Sequence, residues 1–232
     1  GASVGSITNT GTINTSGSSG IINTNNLTTV NNSGTISSTG SNGINHYSGT
    51  LTNLINTGTL SGAGGGSGLN VGGSSAATLT SFTNAGTMTG AGGGYGVNVN
   101  STYGTISTFN NGQGGNSANA ATTALTYNGK LPTNYNIIVT SPTHYGQLNV
   151  TNPLTSTTTF GIYAGGVSGV AASTLAAGTY SSVLTGVAVS NITGATSGTY
   201  GSYNWSLSNT GTTWNMVVAE SSSGSSASSS SS

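Results

Sequence analysis

One motif returns through the first half of this chain at a nearly fixed interval: apolar-x-x-apolar-x-Asn-x-Gly-Thr-apolar. Its copies begin at Val4, Leu27, Leu51 and Leu79 and read VGSITNTGTI, LTTVNNSGTI, LTNLINTGTL and LTSFTNAGTM. A fifth, degenerate copy, ISTFNNGQGG, starts at Ile106 and carries Gln113 where the others have Gly. The aligned asparagines are Asn9, Asn32, Asn56, Asn84 and Asn111, separated by 23, 24, 28 and 27 residues. A glycine followed by an apolar residue recurs between copies, at Gly20-Ile21, Gly43-Ile44, Gly68-Leu69 and Gly96-Val97. Two landmarks sharing one phase mark a structural repeat.

A period of this length, without helical patterning or a leucine-rich consensus, suits one coil of a parallel β-helix. Each coil is expected to hold three short strands. The first is the Thr-apolar pair after the recurring Gly, the second starts at the Gly-apolar landmark, and the third is the stretch before the Asn. Ile13, Ile36, Leu60 and Met88 then stack inward at about 4.8 Å per coil. The aligned asparagines form a ladder, because a carboxamide both donates and accepts. Asn45, Asn70 and Asn98 are placed to form a second one. Gly11, Gly34, Gly58 and Gly86 are read as turn glycines that supply positive φ. The insertions GAGGGSG (62–68) and GAGGGYG (90–96) fall at one position of successive coils and are expected to protrude.

After about residue 120 the pattern changes. GGNSANAATT (114–123) reads as a last turn or linker. Beyond it come longer, more aromatic strand candidates at 135–140, 145–150, 160–163, 180–184, 203–207 and 214–218, separated by Pro and Gly turn signals. The expected architecture is all-β. A right-handed parallel β-helix of about five coils spans 1–120, a β-sandwich-like or capping unit spans 121–219, and a Ser-rich tail spans 220–232. One continuous solenoid with irregular later coils is the alternative. The sequence opens on Gly1 without a methionine, as expected of a processed or excised piece.

Composition narrows the chemistry. Lys130 is the one fixed cation and Glu220 the one acid; charged residues make up 1% of the chain. A usual soluble domain carries about 25%. Glycoside hydrolysis needs two carboxylates and calcium repeats need aspartates, so neither is supported. Nucleic-acid binding lacks the positive charge it requires. His144 lies near Ser141 without an acid to orient it, and His46 aligns with Val71 and Val99 as a coil-filling residue. Tyr203, Trp205 and Trp214 are expected in the core before any sugar platform. No catalytic residue, cofactor or metal is expected, and the chain is read as no enzyme. The absence of Cys fits a scaffold held by stacking.

The Asn-x-Gly-Thr-apolar coils resemble the passenger regions of bacterial autotransporters and related repeat-containing surface proteins. The stretches LPTNYNIIVTSPTHYGQLNV, AGTYSSVLTGV and YGSYNWSLSNTGTTWNMVV resemble the module that follows such repeats. The resemblance implies an extracellular or bacterial cell-surface location. The leading functional expectation is a structural protein that self-assembles into a filament or matrix. An adhesin stalk is the second, and ice or polysaccharide binding by a Thr file (Thr12, Thr35, Thr59, Thr87) the third. The expected partners are copies of the chain itself and host or surface glycans, without nucleic acid or membrane insertion.

Overall fold

A computed structural model describes residues 4–115 and 123–222. The first coil consists of β1 (Val4–Asn9), β2 (Thr12–Thr15) and β3 (Ile21–Asn23). The second consists of β4 (Leu27–Asn32), β5 (Thr35–Ser38) and β6 (Ile44–His46). The third holds β7 (Gly49–Asn56), β8 (Thr59–Gly62) and β9 (Leu69–Val71). The fourth holds β10 (Ala77–Asn84), β11 (Thr87–Gly90) and β12 (Val97–Val99). Three strands per coil, at the three positions read from the repeat, are what the sequence predicts.

Corresponding strands pair in parallel, with the motif in register. Asn9 lies opposite Asn32, Asn32 opposite Asn56, and Asn56 opposite Asn84. The burial along a strand follows the pleat. Val30, Leu54 and Phe82 point inward and are buried, as are Ile36, Leu60 and Met88 in the second sheet. Each such side chain contributes roughly 1.5–3 kcal/mol by leaving water.

The stacking continues past the boundary expected near residue 120. β13 (Gly104–Asn111) is followed by β14 (Leu125–Gly129) and β15 (Asn134–Ile137). Then come β16 (Val139–Ser141), β17 (His144–Tyr145), β18 (Leu148–Thr151) and β19 (Thr159–Ile162). β14 pairs in parallel with β12 and β18, and β15 with β13 and β19. The solenoid makes about six turns over residues 6–162, one more than expected. Residues 123–162 are therefore later coils and no part of a separate C-terminal unit. The linker expectation at 114–123 lies mostly outside the described residues, and so does the Ser-rich tail from 223 onward.

Apart from the short antiparallel pair of β16 and β17, the antiparallel strands lie at the C-terminal end. β20 (Gly178–Thr185), β21 (Ser197–Tyr200), β22 (Tyr203–Thr210) and β23 (Thr213–Glu220) extend the third sheet. That sheet runs β21-β22-β23-β20-β18-β14-β12-β9-β6-β3. The first sheet runs from β1 to β19 and the second from β2 to β11. β20 pairs in parallel with β18 and antiparallel with β23, so it is the hinge between the two modes. Aromatic rings carry the core into this end. Phe82 and Phe109 stack at 4.3 Å, Tyr135 meets Phe109 at 5.7 Å, and Phe160 meets Trp205 at 5.6 Å.

Candidate functional site: amide ladders and free sheet edges

The asparagines of the motif form the expected ladder inside the solenoid wall. Asn9 Nδ2 donates to Asn32 Oδ1 at 2.8 Å, Asn32 to Asn56 at 2.8 Å, Asn56 to Asn84 at 2.9 Å, and Asn84 to Asn111 at 3.2 Å. Each amide also donates within its own turn, as Asn32 does to the Gly34 carbonyl at 3.2 Å. Buried amides satisfied in this way stiffen the corner they occupy. The ladder stops at Asn111, whose Nδ2 reaches the Tyr135 hydroxyl and the Gln147 carbonyl. Burial pushes the Tyr135 hydroxyl far above its ordinary pKa. The next residues in the column are Ile137 and Ile162.

The second ladder also forms, and it is longer than read. Asn70 donates to Asn45, Asn98 to Asn70, Asn128 to Asn98, and Asn152 to Asn128, at 2.7–3.1 Å. Its donors point toward the N-terminal coil, whereas those of the first ladder point away from it. Ile22 occupies the corresponding place in the first coil and is 53% exposed.

The motif glycines serve a different need from the one expected. Gly34, Gly58 and Gly86 do not have positive φ. A Cβ on Gly34 would lie 2.0 Å from the Gly11 carbonyl oxygen, and one on Gly58 2.0 Å from that of Gly34. One on Gly86 would lie 2.1 Å from that of Gly58. The turns pack backbone on backbone, and only glycine leaves room. Gly11, with no coil beneath it among the described residues, has open space at the same point. In the two insertions the positive φ does occur, at Gly64, Gly65, Gly92 and Gly93. Gly65 N–H donates to the Ala91 carbonyl at 3.0 Å, so these loops stack on each other. Their tips, Gly64-Gly65 and Ala91-Gly92-Gly93, are exposed.

The two ends of the solenoid differ. The second sheet ends at β11, where the Gln113 side chain takes the place of the missing strand. Its Oε1 accepts the Met88 N–H at 2.7 Å and its Nε2 donates to the Met88 carbonyl at 3.1 Å. This is why the fifth copy departs from the motif at that position. The first sheet ends at β19, which is flanked by backbone bonds from residues 191–193 to Thr158 and from Ser173 to Tyr163. At the other end β1, β2 and β3 each form the outer strand of their sheet. Ile7 and Ile13 are only partly buried there, where their counterparts Val30 and Ile36 are fully enclosed. Among the described residues no group donates to Asn9 Oδ1. The third sheet has a second free edge at β21.

Of the residues considered for other chemistry, His46 and the two tryptophans are buried in packed positions. His46 is buried; its Nδ1 lies 3.1 Å from Asn23 Nδ2 and its Nε2 3.0 Å from the Thr78 carbonyl. This is the pattern of a neutral ring that accepts at Nδ1 and donates at Nε2. Burial holds its pKa below the ordinary value. His144 pairs with Ser141 in the small antiparallel sheet of β16 and β17. Trp214 is buried and donates to the Val187 carbonyl at 2.7 Å, Trp205 is buried against Phe160, and Tyr203 packs on the core. Lys130 Nζ donates to Thr105 Oγ1 at 3.2 Å, while Glu220 is exposed at the end of β23. Among the described residues no three His, Cys, Asp or Glu side chains come together, and no helix is long and apolar enough to cross a membrane. No protein family, no curated protein and no solved structure matches the chain.

Proposed function

We propose that this chain is a non-enzymatic, extracellular structural subunit of a bacterial cell surface that assembles head to tail by continuing its third sheet from one molecule to the next. The observation that carries this reading is that, among the described residues, the same sheet ends on both sides in a strand with a neighbour on one side only, β3 and β21. An unpaired strand presents a row of backbone donors and acceptors to any second chain. Joining β3 of one copy to β21 of another is a heterologous contact and generates an open fibre. Neither edge strand is long, but neither carries a charge or a proline that would repel or block a second chain. β3 carries exposed Ile22, β21 carries only Ser, Gly, Thr and Tyr, and net charge is zero, so copies do not repel.

The test is sedimentation of the wild-type chain and of Ile22→Lys at matched concentration. The wild type is expected to form large species, and I22K to remain monomeric with an unchanged melting temperature, because residue 22 faces solvent. Equal assembly of both variants would remove β3 from the contact. The covering of the first and second sheets at the C-terminal end supports a second reading, an adhesin stalk whose finished tip lies beyond the coils. A monomeric wild type at high concentration favours that one.

A further inference from the structure

Leu154 carries two costs that folding does not repay. Its backbone has φ 56, the left-handed region in which a bulky side chain is an outlier, and its side chain is 56% exposed. Asn152, two residues earlier, has φ 52 and is also exposed. Glycine would relieve both positions without opening a hole in the core. The surrounding chain nevertheless holds the segment firmly. Asn191 Nδ2 donates to the Leu154 carbonyl at 3.0 Å and to the Ser156 carbonyl at 2.8 Å. Ser156 Oγ accepts the Leu131 N–H at 2.9 Å and donates to the Pro153 carbonyl. Strain maintained in this way at Leu154, whose exposed side chain the core does not use, points to a role outside the fold.

Both residues line a cleft of about 390 Å³, together with Asn98, Asn100, Ser101 and Asn128. The cleft lies where the second amide ladder ends, at the Asn152 to Asn128 bond of 3.1 Å. Asn100 Oδ1 is spent on the N–H groups of Thr102 and Tyr103, both at 2.9 Å. Among the described residues Asn152 Oδ1, Asn100 Nδ2 and Ser101 Oγ have no partner. Unspent amide donors and acceptors therefore surround an exposed aliphatic side chain, and no charged residue lines the site. We propose that this cleft binds a neutral saccharide. Its hydroxyls pair with the amides and Ser101, and the C–H face of a sugar ring rests on Leu154. A cleft of this size suits one or two rings of a longer glycan.

The proposal is independent of head-to-tail assembly and has its own test. Saturation-transfer NMR would be run on the intact chain with cellohexaose, chitohexaose and mannohexaose. At least one of them is expected to receive magnetisation. Leu154→Gly is expected to bind that sugar about tenfold more weakly, the equivalent of one lost aliphatic contact. Its melting temperature should not fall, because glycine suits the backbone there. Ser101→Ala is the second variant, expected to bind the same sugar more weakly with an unchanged melting temperature, because Ser101 is exposed. Absence of transfer to all three sugars, or wild-type binding by both variants, would overturn the proposal.

Discussion

Asn56 shows what one side chain does in this wall. It is fully buried, accepts from Asn32 and donates to Asn84, the Gly58 carbonyl and the Thr87 carbonyl. Asn56→Ala leaves partners unpaired on both neighbouring coils and is expected to cost about 2–4 kcal/mol. Asn9 has only one neighbouring rung among the described residues, so Asn9→Ala should cost about half as much, as read from urea midpoints. His46 adds a pH term. Its folded pKa lies below 6.5, so the unfolded chain takes up a proton first as pH falls. Stability is therefore full above about pH 6.5, declines as pH drops through that value, and levels off below the folded pKa. His46→Val matches the residue at this place in the next two coils. It is expected to remove that component of the decline, measured as the difference between the two chains' midpoints at pH 7.5 and pH 5.

At the scale of the element, the turn glycines make the sharpest contrast. Gly58→Ala drives a methyl group into the Gly34 carbonyl and cannot be absorbed by a side-chain rotation. It should cost more than about 3 kcal/mol, whereas Gly11→Ala, with nothing within 4 Å, should stay within about 0.5 kcal/mol. Thermal unfolding of the two variants measures this directly. If positive φ were the reason for glycine at these turns, both would suffer alike. The strands β1 to β12, the first ladder and the first three residues of the second were legible in the sequence, because each coil repeats the same residues in the same phase, whereas Asn128 and Asn152 lie beyond the repeat. The glycine role was not, since a repeated Gly looks the same whether it serves torsion or space. The later coils were hidden for a related reason. Once Ile137 and Ile162 replace asparagine in the ladder column, the wall is held by apolar packing and the motif vanishes while the coil persists. Gln113 stood out as a broken repeat, but its work as a substitute strand depends on β11 lying beside it, which spacing alone does not reveal. The cleft at Leu154 was not legible, because it rests on a backbone torsion.

The whole molecule is a neutral rod with one finished end and one sheet that stays open at both edges. Such a rod carries almost no field, so its self-association should rest on backbone pairing and apolar contact. It should change little between low and high salt, unlike assembly driven by charge. Electron microscopy of the purified chain at high concentration, in low and in high salt, tests the assembly reading most directly. The account predicts uniform fibres in both conditions, with the axial repeat of one subunit. Discrete short rods in both conditions would contradict it.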